Sequence, residues 1–302
     1  MTLSCLHTHT IFCDGKTDVE SMCEAAFEKG FSVIGFSSHA PITKKTGLET
    51  VWHMKEEKLD EYIDTVLKAR KRWQGKLSVF LGLEVDYIKG FCGPSDADIQ
   101  ALPLDYIIGS VHCVLSPKDN QPFNLDVWPE DIGEVLELFD NDGRLICETY
   151  YKAYNDMIKS GGIDILGHLD LIKKNNEIHP FFSPDESWYK DILVKTADNI
   201  VLSRTEAEKN GKRVPVVEVN TGCLIRKYCS EPYPSFFMQK LLKERNVPLI
   251  LNADAHCPDH LSGAYETAWE TARQAGYSAM ELFEGRENGK AVWKTETLTE
   301  AL

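Results

Sequence analysis

Residues 105–112, DYIIGSVH, show the pattern that decides the fold of this chain. A short apolar run, long enough for a buried strand but short for a helix, ends directly before a histidine. Similar runs recur along the whole sequence. They predict strands at 3–7, 31–37, 77–85, 105–111, 163–168, 214–220 and 247–253.

Segments of helical character lie between these runs, at 17–29, about 55–74, 141–160, 185–208, 234–245 and 261–275. The first segment begins at Thr17 and Asp18, which are typical helix-start residues, and it stops at Gly30. Parallel neighbouring strands need a crossover of a dozen or more residues, which such helices provide. The alternation therefore predicts an α/β fold with a parallel sheet, either wound or closed into a barrel.

The composition is typical of one folded domain, with 302 residues of which 43% are hydrophobic. We take residues 1–302 as a single domain because no linker-like stretch divides them. The interval 113–162 includes SPKDNQPFNLDVWPED at 116–131, which predicts an irregular loop over one end of the barrel. No apolar run approaches the ~18 residues that a membrane span needs. The N-terminus lacks a secretory signal, and the nine cysteines form no C-x-x-C pair, so we expect a cytoplasmic protein with reduced thiols.

The charge balance disfavours polyanionic partners. The chain has 33 basic and 47 acidic residues, a formal charge of -14, which repels nucleic acids unless a local basic patch overrides it. The single basic run, KARKRW at 68–73, falls where a helix is predicted to end, and basic side chains are favourable there. We expect neither a nucleic acid nor a membrane as partner.

Metal-capable side chains gather at one end of the predicted strands. Six of the nine histidines lie at or just after strand C-termini, the end where α/β barrels place their active sites. A single histidine after a strand would mean little, but every predicted strand has a metal-capable side chain at its C-terminal end. The residues are His7, His9, His39, Glu84, His112, His168, Glu218, Asn220, Asp254 and His256.

The spacing of these residues suits metal binding. In the H-x-H pair His7 and His9, alternation along an extended segment puts both rings on one face, and Asp254 and His256 repeat this geometry. Nitrogen and carboxylate ligands without thiolates suit Zn, Fe or Mn in a catalytic site. Glu84 can bridge ions with its two oxygens, so we expect a centre of two or three divalent ions.

The ordered series HTHTIFCDG, SSHAP, GLEVDY, GSVHC, GHLDLIKKNN, EVNTG and ADAH resembles the PHP superfamily and, within it, the histidinol-phosphate phosphatase family. The resemblance runs from residue 6 to about residue 262. It implies a distorted (β/α)7 barrel with a trinuclear metal site at the C-terminal ends of the strands. The implied ligands are His7, His9, Glu84 and Asp254 for the first ion, Glu84, His112 and His168 for the second, and Asp14, His39 and His256 for the third.

The same resemblance implies a phosphomonoesterase that converts L-histidinol phosphate to L-histidinol and phosphate in histidine biosynthesis, with a metal-bound hydroxide as nucleophile. The expected catalytic residues are Glu84, Asp254, His256 and Arg226. Arg226, Lys227 and Asn220 are the candidate substrate contacts, and Arg226 comes first because its fork can hold a phosphoryl group bidentately. The cationic leaving group would suit the acidic and aromatic residues Asp126, Trp128, Glu130 and Asp131.

Three alternative functions are compatible with the sequence. A PHP-type phosphodiesterase or exonuclease would use the same ligand series on another phosphate ester. A metal-dependent binding module would have coordinatively closed ions and no turnover. A metal-dependent amidohydrolase shares the H-x-H start but normally has a bridging lysine where this chain has Glu84.

Some residues depart from the family pattern or fall outside it. Ser38 stands where relatives often carry an acidic residue, and Asn252 and Ala253 stand where Gly-Ser is common, so the surroundings of the ligands can differ. His53, His179 and His260 match no ligand position, and we expect them on the surface or in the core, with His260 near the pocket rim.

Overall fold

Seven parallel strands form the centre of the fold in the computed structural model, which describes residues 2–48 and 50–297. They pair with one another in chain order, so each predicted strand lies beside its sequence neighbour. Their ends differ from the predicted ends by no more than two residues. The strands are β1 Ser4–Cys5, β2 Val33–Phe36, β3 Ser78–Asp86, β4 Tyr106–Ser110, β7 Ile165–Leu166, β8 Val216–Asn220 and β9 Leu249–Asn252.

The sheet curves until its first and last strands meet at the C-terminal end. Thr8, just after β1, forms a parallel bridge with Ala255, just after β9. Two backbone hydrogen bonds close this join, from the amide of His9 to the carbonyl of Ala255 at 2.8 Å and from the amide of Ala255 to the carbonyl of His7 at 3.0 Å. The prediction of a distorted seven-stranded barrel is therefore confirmed.

Helices cover the outside of the barrel, and the six predicted helices are all present. Asp18 caps the first of them by accepting a hydrogen bond from the amide of Ser21 at 2.9 Å. The described helices are α1 Val19–Glu28, α2 Leu59–Trp73, α3 Ala97–Gln100, α4 Ile132–Leu138, α5 Gly143–Ser160, α6 Ser187–Lys209, α7 Gly222–Arg226, α8 Phe236–Glu244 and α9 Tyr265–Gln274. Among the described residues, no helix has the length and apolar content needed to cross a bilayer.

Alternating side chains divide the core into two parts. In β4, Ile107 packs with the helices, whereas Tyr106 and Ile108 belong to a smaller cluster whose members come from the strands and from a C-terminal hairpin. Successive strand residues face opposite sides, so this smaller cluster fills the barrel interior. It leaves the polar residues at the C-terminal ends of the strands above an apolar floor.

The structure contains two antiparallel hairpins that were not predicted. The interval expected to be an irregular loop contains β5 Cys113–Leu115 and β6 Pro122–Asn124, which pair antiparallel. After the last predicted helix, β10 Ala279–Glu287 and β11 Lys290–Thr297 form a second antiparallel pair, which was not predicted. Asn288 and Gly289 have positive φ values of 51° and 77°, so the Asn-Gly turn signal for this hairpin was present in the sequence.

Candidate metal centre

The carboxylate of Glu84, near the end of β3, lies at the centre of the histidine cluster. Its side chain is 1% exposed, and each oxygen faces different rings. Oε2 lies 3.1 Å from His7 Nε2, 3.4 Å from His9 Nε2 and 3.2 Å from His39 Nδ1. Oε1 lies 2.8 Å from His168 Nε2 and 3.5 Å from His112 Nε2. A single carboxylate thus contacts two sets of imidazoles, as a bridging ligand would.

The H-x-H pair lies on the floor of the cluster. The side chains of His7 and His9 are completely buried, and their ring centroids are 5.2 Å apart. Asp254 faces both rings, with Oδ1 at 3.8 Å from His7 Nε2 and 3.2 Å from His9 Nε2. The side chain of the intervening Thr8 points elsewhere, because its hydroxyl donates to the sulfur of Cys5 at 3.5 Å. The expected alternation therefore brings both imidazoles to one side.

Asp14 and His256 form the more exposed rim, with side-chain exposures of 32% and 17%. Oδ2 of Asp14 lies 3.1 Å from His256 Nε2, and Oδ1 lies 3.6 Å from His9 Nδ1. The turn that returns Asp14 towards His9 is tight, since a Cβ at Gly15 would lie 2.3 Å from the amide nitrogen of Thr10. Only glycine fits there without a shift of the backbone.

The chemistry of the cluster fits divalent cations. Within residues 2–48 and 50–297, several of its buried donor atoms have no hydrogen-bond partner, although buried polar groups normally have one. Nitrogen and carboxylate oxygen atoms of this kind can coordinate a metal. In four groups of three or four His, Asp and Glu residues, one ligand atom from each residue lies within 4.8 Å of the others. The unpartnered atoms are His7 Nε2, His9 Nε2, Asp14 Oδ1, His39 Nδ1, Glu84 Oε2 and His168 Nδ1.

The electrostatics of the cluster keep its carboxylates ionised. Burial raises the pKa of Glu84, but the surrounding histidines outweigh burial and hold that pKa well below its usual range. The pKa of Asp254 is likewise lowered, because Arg226 and the histidines outweigh its burial. Burial lowers the pKa of His39 to about 3, so this ring is neutral and has a free nitrogen lone pair at neutral pH.

Two carboxylates, to which the sequence analysis assigned no ion, form hydrogen bonds with candidate ligands from behind. Oε2 of Glu218 lies 2.9 Å from Nδ1 of His7, and Oδ1 of Asp86 lies 3.0 Å from Nδ1 of His112. Each carboxylate therefore fixes the ring so that its other nitrogen faces the cluster. A sequence signal existed for Asp86, because a residue two positions after Glu84 on a strand lies on the same face.

Arg226 reaches the cluster from the end of α7. Its Nη2 donates to Oδ2 of Asp254 at 2.8 Å, and its side chain is 25% exposed. A Cβ at Gly222 would lie 2.3 Å from this Nη2, so the glycine leaves the space through which the guanidinium passes. Lys227 adopts a left-handed conformation with φ of 60° and is exposed.

The side chain of Asn220, a candidate substrate contact, is hydrogen-bonded inside the protein. The residue is completely buried, its amide nitrogen donates to Glu218 Oε1 at 2.9 Å, and its amide oxygen accepts from the backbone of Gly222 at 2.8 Å. Both ends of the amide are therefore used inside the protein. Asn252, which departs from the family pattern, also donates to Glu218, at 3.0 Å.

The segment after β6 brings an acidic and an aromatic residue towards the centre. Asp126 bonds through its backbone amide to the carbonyl of His112, and its carboxylate accepts a hydrogen bond from Lys174 at 2.6 Å. The same ammonium lies 5.3 Å from the ring centroids of both Trp128 and Tyr228. Glu130 and Asp131 are exposed and do not join this group.

The remaining histidines fall in different places. His260 lies at the rim, where its Nδ1 accepts from the amide of His256 at 3.4 Å, and His179 is exposed. His53 is buried, as the core alternative allowed, although it is hydrogen-bonded to Asp86.

Comparison with known proteins is consistent with this geometry. A model of the PHP domain family matches residues 6–208. The histidinol-phosphatase of Bacillus subtilis (strain 168) is 30% identical over 276 residues, which span 87% of this chain and 97% of that protein.

Two solved structures share the fold. HisK of Listeria monocytogenes has a TM-score of 0.69 at 21% identity, covering 87% of this chain and 99% of its own. Histidinol phosphate phosphatase of Lactococcus lactis subsp. lactis has a TM-score of 0.65 at 16% identity, covering 96% and 99%, and was solved with zinc, L-histidinol and phosphate.

Proposed function

Because this chain belongs to the PHP domain family and, within it, to the histidinol-phosphatases, we propose that it hydrolyses L-histidinol phosphate to L-histidinol and inorganic phosphate. The observation that carries this proposal is the buried cluster around Glu84, in which several nitrogen and oxygen atoms have no hydrogen-bond partner among the described residues. A phosphomonoesterase of this family needs such a cluster at the mouth of its barrel.

We assign three divalent ions to the cluster, drawn from Zn, Fe and Mn, which suit its ligand types. When bound, such ions supply Lewis acidity, which lowers the pKa of water and offsets charge on phosphoryl oxygens. Glu84 would contribute to more than one ion, because each of its oxygens faces a different set of rings. The assigned ligands are His7, His9, Glu84 and Asp254, then Glu84, His112 and His168, and finally Asp14, His39 and His256.

Arg226 holds the phosphoryl group in this proposal. Its guanidinium donates from Nη2 to Oδ2 of Asp254 at 2.8 Å and from Nη1 to the carbonyl of Asp254 at 3.3 Å. Because a guanidinium has five N–H donors and this one is partly exposed at the rim, others remain for phosphate oxygens. The contact with Asp254 also orients the fork beside the candidate ligands. Lys227 is a weaker candidate, since its side chain points into solvent and offers a single point charge.

Asp126 recognises the leaving group in this proposal. Histidinol carries a primary ammonium group, and the carboxylate of Asp126 with the rings of Trp128 and Tyr228 already surrounds one ammonium, that of Lys174. Cation–π contacts and a carboxylate are the groups that favour such a cation. The segment carrying Asp126 is fixed to His112 by a backbone hydrogen bond, which keeps it beside the centre.

The test is release of inorganic phosphate from L-histidinol phosphate by the purified protein, before chelation, after chelation and after Zn²⁺ is restored. We expect activity that chelation abolishes and Zn²⁺ restores. His9→Ala and Glu84→Ala lose it, while His179→Ala, a substitution of an exposed histidine, keeps it. Cleavage of a short oligonucleotide with no release from histidinol phosphate would favour the phosphodiesterase instead. Full activity in both ligand variants would reject the metal centre.

A further inference from the structure

A line of side chains runs from the outside of the barrel to the candidate metal centre. The hydroxyl of Thr50 lies 2.6 Å from Nδ1 of His53, and Nε2 of His53 lies 2.7 Å from Oδ2 of Asp86. The other oxygen of Asp86 accepts from both the backbone amide and Nδ1 of His112, each at 3.0 Å. Nε2 of His112 in turn faces Glu84 at 3.5 Å.

The hydrogen-bond directions along this line are determined by the carboxylate. An ionised Asp86 only accepts, so the ring nitrogens that face it carry hydrogens. His112 therefore carries a hydrogen on Nδ1, which leaves Nε2 for an ion of the proposed centre, and Nδ1 of His53 accepts the hydroxyl hydrogen of Thr50. Each group from Thr50 to Nδ1 of His112 then has a hydrogen-bond partner, as a buried polar network requires.

The line is buried and attached to a second candidate ligand. The side chains of His53 and Asp86 are each 3% exposed. The segment 50–54, which carries Thr50 and His53, also bonds to the loop after β2, because the amide of Met54 donates to the carbonyl of His39 at 3.2 Å. Segment 50–54, which lies outside the barrel strands, thus contacts two parts of the cluster. His53 contacts Asp86 behind His112, and Met54 contacts the backbone of His39.

We propose that His53 is a positioning residue for the metal centre: through Asp86 it fixes the orientation of His112, so that segment 50–54 is part of the metal-binding machinery. This inference rests on the metal centre of the proposed function. It assigns a role to a histidine that matches no ligand position. The alternative is that His53 only fills space in the core.

The test compares two replacements of similar polarity. His53→Gln places an amide nitrogen where Nε2 was and can still donate to Asp86, whereas His53→Asn is too short to reach it. Zn²⁺ affinity is measured by competition with a chelating dye, without substrate, alongside thermal melts of the metal-free proteins. His179→Gln and His179→Asn are the matched controls, since His179 is exposed.

We expect His53→Asn to bind Zn²⁺ about 10- to 100-fold more weakly than the wild type, the range for loss of a partner behind a ligand, and His53→Gln to bind within about threefold. In an Asp86→Asn background, His53→Asn should add little, because both changes break the same line. Should the ring replacements not fold, Thr50→Val removes only the outer hydroxyl and should weaken binding in the same direction by less.

Equal Zn²⁺ affinity in His53→Asn and His53→Gln would overturn the proposal, as would unchanged affinity in Thr50→Val when it alone folds. Because no substrate is present, a failed phosphatase assay leaves this test intact. Conversely, equal Zn²⁺ affinities of the two His53 variants would reject the role of His53 without affecting the phosphatase assay, which tests the proposed function.

Discussion

Nδ1 of His7 lies 2.9 Å from Oε2 of Glu218, and both side chains are completely buried. The contact leaves Nε2 of His7 directed at Glu84, on the opposite side of the ring. Glu218 also accepts from the backbone amide of His168 at 2.6 Å, so one carboxylate holds two candidate ligands in place. The orientation of the His7 ring and the position of His168 therefore depend on Glu218, which lies behind the candidate ligands.

The first prediction concerns this carboxylate. In Glu218→Gln, one acceptor becomes a donor that faces buried N–H groups, so the free energy of unfolding should fall by about 1–3 kcal/mol. Zn²⁺ affinity should fall about 10- to 100-fold, because the ring of His7 loses its partner. Dye competition and urea unfolding measure the two effects, with the exposed Glu284→Gln as control. Wild-type affinity in a folded Glu218→Gln protein would contradict the role given to Glu218.

Arg226→Lys tests phosphate binding. The lysine keeps the charge but loses the bidentate fork, so kcat/KM for histidinol phosphate should fall by the value of one charge-assisted hydrogen bond, about 1.5–3 kcal/mol or about 10- to 150-fold. Lys227→Ala, in the neighbouring exposed position, should change it by less than about threefold. Metal content is measured in parallel, because Arg226 also contacts Asp254. Equal losses in both variants would remove the preference for Arg226.

Asp126→Asn tests recognition of the leaving group. We expect the carboxylate to contact the substrate ammonium. Its loss should then lower kcat/KM for histidinol phosphate about 10- to 150-fold, which corresponds to about 1.5–3 kcal/mol for a hydrogen bond to a charged group. Hydrolysis of p-nitrophenyl phosphate, which has no ammonium group, should change little. The ratio of the two activities is the measurement, so a general loss of folded enzyme cancels. An equal decrease with both substrates would rule out selective recognition by Asp126.

The metal-free protein should lose stability as the pH rises. Burial lowers the pKa of His112, but the carboxylates of Asp86 and Glu84 outweigh burial and raise it to about 10. In the unfolded chain this pKa is near ~6.5. A raised folded-state pKa stabilises the fold fully below pH ~6.5 and loses that contribution as the pH approaches 10.

Urea midpoints of the chelated protein between pH 6 and 10 measure this effect, and His112→Asn should flatten the decline. With metal bound the dependence should weaken or reverse, because ligation requires neutral imidazoles. A stability of the chelated protein that rises with pH in this range would contradict the direction assigned to His112.

Gly82 of β3 tests the packing of the barrel interior. A Cβ at Gly82 would lie 2.4 Å from Cζ of the completely buried Tyr106. Gly82→Ala should therefore reduce the free energy of unfolding by about 1–3 kcal/mol through overpacking. Gly133→Ala in α4 is the matched control, since no heavy atom lies within 4 Å of its Cβ position, and it should stabilise or leave the protein unchanged. A Gly82→Ala variant as stable as the wild type would show that Tyr106 can move aside.

The strands and the placement of the candidate ligands could be predicted because both are local patterns. An apolar run such as 105–111 determines a buried strand, and a histidine directly after it must lie at that strand's C-terminal end. The H-x-H geometry of His7 and His9 follows from the same alternation. The hairpin at 279–297 was not predicted, although its Asn-Gly turn is visible in the sequence.

The order of strands and helices and the kind of side chain at each strand end could be read from the sequence, since these depend on neighbours within a few residues. The tertiary structure decided which of those side chains meet. His7 and Glu218 are separated by 211 positions, and His53 and Asp86 by 33, so no local spacing could pair them. Only closure of the barrel between Thr8 and Ala255 brings the two ends of the sheet, and therefore Asp254 and the H-x-H pair, to one place. Hydrogen bonds and close charges act over a few ångströms of space, whatever their distance along the chain.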